Sequence, residues 1–195
     1  EVYTAVDGRT ISLVQGKPKY DAPKPAPQRD GNIPSMAKVG LFIMPIAGGK
    51  WNDVLGAGRG HEGGDIPAKK GTPIMAAAEG IVVMVEPRDG YGKTGVIYHG
   101  IVDGKPTISL YAHVDDYADA KDGKGKIRPG VKVEQGQDIA YVGCTGTRCE
   151  GDHLHFEVRQ GDKEFEIGKS QYKTQYAVVA PDVFINNPHK MDAPQ

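Results

Sequence analysis

Four histidines and one aspartate lie in three separate segments of this 195-residue chain, and they restrict how it can fold. The segments are H-E-G-G-D with His61 and Asp65, L-Y-A-H-V with His113, and D-H-L-H-F with His153 and His155. About 40 to 50 residues separate one segment from the next, as in a metal site that is assembled from separate strands. Zinc accepts imidazole nitrogens and carboxylate oxygens, and a three-ligand site leaves a fourth position open for water. The pattern therefore favours a fold in which distant strands meet at one polar site.

The D-H-L-H-F segment reads as a strand that places two imidazoles side by side. Alternation puts His153 and His155 on one face, while Leu154, Phe156 and Val158 point the other way into a core. Burying two imidazoles without a partner is costly, so a shared ligand or reactant is the better interpretation. The remaining histidines, His99 and His189, stand alone and are predicted to be ordinary surface or hydrogen-bonded residues.

The H-E-G-G-D segment differs from the helical H-E-x-x-H motif of metalloproteases, in which the glutamate acts as the base. Gly63 and Gly64 would lie inside the helical turn, where each costs roughly 1 kcal/mol relative to alanine. The fifth position is an aspartate, and the flanking residues are glycines and a proline. We therefore predict a loop or strand end that carries ligands, and we do not expect Glu62 to be the catalytic base.

The order H-x-x-x-D, Y-A-H, H-x-H resembles the lysostaphin/LytM family of zinc endopeptidases, which cut peptidoglycan cross-links. The similarity extends over H-E-G-G-D-I-P-A-K-K-G-T-P-I-M-A-A-A-E-G-I-V-V, G-Y-G-K-T-G-V-I-Y-H-G, V-K-V-E-Q-G-Q-D-I-A-Y-V-G-C-T-G and D-H-L-H-F-E-V-R, in the family's order. It runs from about Leu41 to Arg159. The resemblance implies an all-β fold, an antiparallel sandwich or open barrel of the lysostaphin type with a duplicated hybrid motif, in which long loops form a groove.

Carried over position by position, the resemblance makes His61, Asp65 and His155 the ligands of one Zn²⁺ per chain. With Glu62 discounted, His113 and His153 remain as general base, proton donor or oxyanion partner, because the pKa of imidazole lies near neutrality. Four further residues are candidates for supporting roles. Tyr111, two residues before His113 and expected on the same strand face, would orient His113, stabilise the oxyanion or serve only in packing. Glu157 is expected to hydrogen-bond a ligand histidine. Asn52 and Arg59, the other candidates for the oxyanion partner, occupy the stretch where some family members carry a tyrosine thought to stabilise the transition state.

The substrate implied by the resemblance is the cross-linking peptide of peptidoglycan. Separately, we expect the protein to be a monomer. We expect a D,D-endopeptidase that cuts direct D-alanyl–diaminopimelate links rather than an enzyme that cuts glycine bridges. One alternative is a catalytically silent family member that regulates cell-wall amidases, which the complete ligand set disfavours. The other is a lipoyl-like carrier module, since R-P-G-V-K-V-E-Q-G-Q-D-I-A-Y-V-G resembles its half-repeat. That alternative is disfavoured because Glu79-Gly80 occupies the turn that would need a modifiable lysine.

The two cysteines, Cys144 and Cys149, are close enough in sequence to form a disulfide. Two free thiols or thiolate metal ligands are the alternatives. A disulfide would fix the loop that leads to His153, and it would indicate an oxidising compartment. Together with the resemblance, this predicts a periplasmic or secreted protein.

The remaining sequence predicts two segments: residues 1–35, a hairpin around Asp7-Gly8 followed by a proline-rich linker, and residues 36–190, an endopeptidase domain of short strands between glycine turns. A net charge of −1 with interspersed signs argues against nucleic acid as a partner. No run of 18 apolar residues occurs, so no membrane span is expected. The predicted strands are 73–78, 80–86, 95–99, 107–114, 131–133, 138–142 and 153–160.

Overall fold

The computed structural model describes residues 2–4, 10–14, 17–20, 38–56, 60–162, 175–185 and 187–191. Almost all regular structure in these ranges is antiparallel strand, which confirms the predicted fold class. The strands are β1 Val2–Thr4, β2 Thr10–Val14, β3 Lys17–Tyr20, β4 Lys38–Leu41, β5 Gly64–Pro67, β6 Pro73–Met75, β7 Gly80–Arg88, β8 Gly92–Val102, β9 Lys105–Ala112, β10 Val114–Tyr117, β11 Lys132–Val133, β12 Asp138–Val142, β13 His153–Gly161, β14 Tyr176–Val179 and β15 Pro188–Met191. The helix α1 spans Pro181–Phe184. None of the helical structure described is long and apolar enough to cross a membrane.

The largest sheet carries the candidate site. Its central path runs β11-β7-β8-β9-β13-β14, and β5 pairs with the first half of β13. Strand β13 therefore lies between β9 and β5, and its residue His155 is opposite Ala112 on one side and Asp65 on the other. A smaller sheet, β10-β12-β6, packs its apolar residues against the large one. Continuous apolar runs such as Ile81–Met84 are buried, as expected for a strand covered on both faces.

At the N-terminus, β1 and β2 pair antiparallel, with Val2 opposite Ser12, as the predicted hairpin requires. The turn residues Asp7 and Gly8 lie outside the described residues. A third strand extends this hairpin into the proline-rich segment, because β3 pairs with β2. A strand can include Pro18 where no ladder hydrogen bond is needed from its nitrogen. The proposed boundary near residue 35 lies in a range that is not described.

The predicted single strand 107–114 is interrupted at His113. This residue has a φ of 62°, in the left-handed region that non-glycine residues seldom adopt. Strand β9 ends at Ala112 in the large sheet, and β10 begins at Val114 in the small sheet. The His113 backbone N–H leaves the ladder and donates to Tyr91 O at 2.8 Å. Strand alternation therefore does not apply across His113, which matters for the site below.

His99 is fully buried and hydrogen-bonded, in agreement with its predicted ordinary role. Its Nδ1 lies 2.7 Å from Glu79 O, and its Nε2 lies 2.7 Å from Ser109 Oγ. Nδ1 must carry the proton to serve a carbonyl acceptor, so Nε2 accepts from the serine hydroxyl. His189 has a similar structural role, since it bonds Asp103 and Phe184 O.

Acidification should destabilise the protein through His99. Burial lowers the pKa of His99 from 6.5 to about 4, so the unfolded chain binds a proton that the folded chain excludes. The stabilising contribution is complete above pH 6.5 and is lost as the pH falls towards 4; about 2 kcal/mol should disappear between pH 7.5 and 5. Urea unfolding of wild type and His99→Asn across this range would isolate the term, because the amide does not titrate. Parallel stability curves would contradict the assignment.

Candidate metal centre

Three predicted ligands converge where β5 meets β13. His61 Nε2 lies 3.2 Å from Asp65 Oδ1 and 3.1 Å from His155 Nδ1, while His155 Nδ1 lies 2.9 Å from Asp65 Oδ1. Two features of the chain bring them together. Asp65 is the register partner of His155 on the neighbouring strand, and His61 comes from the loop immediately before β5. Among the described residues, the donor atoms of His61, Asp65 and His155 lie close enough together to hold one metal ion.

The three donors fit a zinc ion in spacing. Donors held at about 2.0–2.1 Å around one tetrahedral zinc lie roughly 3.3 Å from each other. The observed separations of 2.9, 3.1 and 3.2 Å are close to that value. Two imidazole nitrogens and a carboxylate oxygen are also the mixture that zinc accepts, with a fourth position left for another oxygen.

The outer hydrogen bonds of the two ligand histidines fit a metal as well. His61 Nδ1 lies 3.3 Å from Val54 O, and His155 Nε2 lies 3.0 Å from Glu157 Oε1. An oxygen acceptor at one ring nitrogen places the proton there and leaves the lone pair on the other nitrogen. In both histidines the nitrogen with the lone pair faces the other two donors. Glu157 thus has the contact predicted from its position on the same strand face.

A buried ionic cluster supports Glu157 from behind. Arg159 is 2% exposed, and it donates from Nε to Glu157 Oε2 at 2.5 Å and from its other end to Glu62 Oε2 at 2.7 Å. The Tyr91 hydroxyl donates to Glu157 Oε1 at 2.8 Å. The guanidinium of Arg159 therefore connects two carboxylates. One is Glu157, which accepts from His155, and the other is Glu62, which follows His61 in the sequence. Glu62 is engaged in this cluster, which agrees with its exclusion as the base.

Electrostatics at the site favour a cation at His155. Burial alone would lower the pKa of His155, but hydrogen bonds to Asp65 and Glu157 raise it to about 9. Burial would raise the pKa of the Glu157 carboxyl, yet His155 and Arg159 lower it, so it stays ionised. The carboxylates that favour a proton on His155 also favour a metal there, and the two compete for the same nitrogen.

The accessory histidines lie beside this centre. The rings of His113 and His153 are 4.8 Å apart between centroids, and His153 Nε2 lies 3.7 Å from Asp65 Oδ1. Each Nδ1 has a carbonyl acceptor: Thr145 O at 2.8 Å for His113 and Gly151 O at 2.7 Å for His153. In both rings the carbonyl therefore places a proton on Nδ1, and Nε2 is directed to neither carbonyl. Burial lowers the pKa of His113 to about 4, so it is a neutral base at neutral pH.

Gly63 is required by close approach between the ligand loop and β13. A Cβ at this position would lie 2.7 Å from Phe156 O and 2.8 Å from His155 Cε1, closer than real Cβ contacts. The glycine that disfavours a helix in H-E-G-G-D therefore lets the loop lie directly against the imidazole of His155.

Tyr111 does not lie where the sequence placed it. Its ring is in the core, 5.2 Å from the ring of Phe156, and its hydroxyl accepts from Ala77 N–H at 2.9 Å. Phe156 is its register partner and lies on the face opposite His155. The expectation of a shared face with His113 fails because His113 turns back in the left-handed conformation. Tyr111 therefore has a packing role.

The other two candidates for the oxyanion partner have different outcomes. Asn52 is exposed near the site, and its backbone N–H donates to Asp65 O at 2.9 Å. Arg59 lies outside the described residues.

Cys144 and Cys149 form a disulfide, as predicted. The ring that it closes contains Thr145, whose carbonyl accepts from His113. Gly151 lies just after the ring, and its carbonyl accepts from His153. Cys149 Sγ itself lies 3.7 Å from His153 Nδ1. The ring thus orients both accessory histidines, not His153 alone.

Removal of the disulfide should reduce activity more than stability. In Cys144→Ser/Cys149→Ser, we expect turnover to fall about tenfold because two proton-transfer groups lose their orientation. The chain-entropy loss for so short a ring is about 2 kcal/mol, a fall of several degrees in Tm. Zinc should stay near one per chain, because the ligand histidines bond to groups outside the ring. Zinc loss in step with activity would show that the ring supports the ligands instead.

Sequence reasoning missed several supporting groups. Tyr91 and Arg159 were within quoted motifs but had no assigned role. Arg159 continues the face of His153, His155 and Glu157 at a spacing of two, so extending the alternation by one step would have identified it. Nothing in the sequence distinguishes the carbonyls of Val54, Thr145 and Gly151 from other backbone acceptors.

The chain is similar in sequence to known bacterial proteins. The DD-carboxypeptidase/endopeptidase Mpg of Neisseria meningitidis serogroup B is 36% identical over 138 residues, 67% of this chain and 29% of Mpg. The murein hydrolase activator NlpD of Escherichia coli is 36% identical over 117 residues, 59% of this chain and 27% of NlpD. The chain thus spans less than a third of the length of these relatives.

Two solved structures have the same fold. A zinc-containing peptidase from Vibrio cholerae superposes with a TM-score of 0.54 and 24% identity over 83% of this chain and 46% of that one. The catalytic domain of lysostaphin from Staphylococcus simulans superposes with a TM-score of 0.51 and 24% identity over 77% and 93%. The model of Peptidase family M23 matches residues 59–167, which are 109 of the 195 residues. The chain therefore belongs to peptidase family M23.

Proposed function

We propose that this chain is a zinc-dependent endopeptidase that hydrolyses peptide cross-links of bacterial peptidoglycan. The observation that carries the proposal is the set of three donors within 3.2 Å of each other, next to two histidines whose Nδ1 atoms each bond a backbone carbonyl. His61, Asp65 and His155 would hold one zinc per chain. The chemistry supplied by a zinc ion held there would be polarisation of the scissile carbonyl and a lower pKa of bound water.

The chain's own residues supply the proton transfers. His113 is neutral at neutral pH and can accept the proton of the attacking water at Nε2, while its Nδ1–H remains bonded to Thr145 O. His153, in ring contact with His113, is placed to help return a proton to the leaving amine. Asn52 is our candidate for the oxyanion partner because it adjoins Asp65 and is exposed to a substrate.

Of the two types of cross-link, we propose that the chain cuts the direct D,D link. The DD-carboxypeptidase/endopeptidase relative supports this choice. Purified walls with direct links and walls with glycine bridges should be digested in parallel, and the fragments identified by mass spectrometry. New amino termini at diaminopimelate are the expected products. New glycine termini would overturn the choice of bond, and intact walls of both kinds would overturn the enzyme.

A second candidate function is activation of cell-wall amidases, favoured by the similarity to NlpD, a murein hydrolase activator. The complete donor set argues against it as the sole role. The same digestion separates the two, because an activator releases no new peptide termini by itself but increases the release of stem peptides by an added amidase.

We also propose that the protein acts as a monomer outside the cytoplasm. All the groups invoked belong to one chain, and the disulfide suits an oxidising compartment. Titration of thiols in unfolded, unreduced protein from its native compartment should find none. Two free thiols would contradict this location.

A further inference from the structure

The disulfide ring carries an arginine at the edge of the candidate site. Arg148 lies in the ring between Thr145 and Cys149. The Thr145 carbonyl accepts from His113, and Cys149 Sγ lies 3.7 Å from His153 Nδ1. Its backbone N–H donates to Gly90 O at 3.1 Å. Gly90 in turn precedes Tyr91, whose ring stacks on His113 at a centroid distance of 6.4 Å. The neighbours of Arg148 therefore contact both accessory histidines: Cys149 contacts His153, and Thr145 contacts His113.

The stem of the Arg148 side chain packs against Gly90. A Cβ on Gly90 would lie 2.8 Å from Arg148 Cδ and 2.9 Å from its Nε, so the stem lies flat against the bare glycine backbone. Gly90 has a φ of +78°, which further disfavours any side chain there. A guanidinium whose stem is already packed in the free protein loses less conformational entropy when it binds a ligand.

Arg148 has no ion-pair partner in the described ranges, whereas three other cations of the chain are paired. Arg159 is paired with Glu157 and Glu62, and Arg88 is paired with Glu86. Lys70 is paired with Asp115. Arg148 is exposed, its side chain lies against Gly90, and no carboxylate among the described residues pairs with its charge. This is the state expected of a group that binds an external anion.

We propose that Arg148 is a specificity-determining residue that binds a free carboxylate of the substrate next to the scissile bond. The inference rests on the proposed peptidoglycan hydrolysis and narrows its substrate class. In a direct link, the diaminopimelate residue on the leaving side has a carboxylate on the carbon that bears the scissile nitrogen. A glycine bridge has no such charge beside its internal bonds. A planar guanidinium is suited to bidentate binding of that carboxylate.

The test combines two substrates with three proteins. The substrates are soluble directly cross-linked dimers in which that carboxylate is either free or amidated. The proteins are wild type, Arg148→Gln and Arg148→Lys, each loaded with zinc and checked for metal content. A charge-assisted hydrogen bond predicts that wild type prefers the free acid by about 10- to 100-fold in kcat/KM. Arg148→Gln should lose this preference by slower cleavage of the acid alone, and Arg148→Lys should keep part of it.

Lys105→Gln is the matched control. Lys105 is exposed at the start of β9, at the opposite end of that strand from His113, and it should keep the wild-type ratio. An acid-to-amide ratio in Arg148→Gln equal to that of wild type would overturn the assignment while leaving the proposed function intact. Failure of wild type to cut either dimer would instead overturn the proposed function itself.

Discussion

Replacement of His61, Asp65 or His155 by alanine will remove zinc and wall hydrolysis together. Each variant deletes one of three donors that lie within 3.2 Å of each other, and the remaining two cannot hold the metal in a three-ligand site. We expect zinc to fall from one per chain to near zero, measured by elemental analysis after dialysis, and hydrolysis to fall below detection. Chelation of wild type should have the same effect, and added zinc should reverse it.

A matched control is His189→Gln. This variant removes a buried histidine that bonds Asp103 and Phe184 O rather than any of the three donors. It should keep one zinc and full activity. Hydrolysis by wild type that survives complete removal of metal would refute the zinc mechanism. Full zinc in Asp65→Ala would show that the carboxylate is not a ligand.

Alanine at His113 or His153 will have the opposite pattern: zinc stays, and turnover collapses. Both histidines lie beside the donors rather than among them, and each has its Nδ1–H bonded to a backbone carbonyl. Loss of a positioned acid or base typically costs 10²- to 10⁴-fold, and we expect kcat to fall by about that amount with little change in KM. Single-turnover hydrolysis of a cross-linked dimer measures the chemical step directly.

The double variant His113→Ala/His153→Ala tests whether the pair acts as one unit. If the two transfer protons in the same reaction, the double variant should be barely slower than the worse single variant. Release of zinc by His113→Ala as readily as by His61→Ala would mean that the division between ligands and proton-transfer groups is wrong.

The fold class and the meeting of the site segments could be predicted because they depend on strong local patterns. The period of two in D-H-L-H-F fixed which residues of β13 face the donors and which face the core, and the structure agrees. The glycines of H-E-G-G-D excluded a helix, and the observed loop leads into β5. Such predictions hold where side-chain alternation follows regular backbone geometry.

The failures occur where the backbone departs from that geometry. His113 has a left-handed backbone conformation, so strand alternation does not continue across it. Tyr111 therefore does not share a face with His113, and its ring packs in the core against Phe156. Short strands that contain proline, such as β3, show little alternation of apolar and polar residues. Periodicity therefore does not separate β3 from the proline-rich segment that follows it. The carbonyl acceptors of the histidines were invisible for another reason: every residue has a carbonyl, and only the fold determines which one a ring can reach.

The ionic cluster behind the metal centre connects catalysis with the folding equilibrium. With the histidines neutral, as metal ligands must be, Asp65, Glu62 and Glu157 outweigh Arg159 by two negative charges. A divalent cation brings that local charge to zero and joins β5 to β13 through their side chains. Because such an ion binds the folded chain alone, a thousandfold excess over its Kd adds about 4 kcal/mol to the free energy of unfolding. Metal supply in the surroundings of the protein would therefore control how long the folded enzyme survives as well as how fast it works.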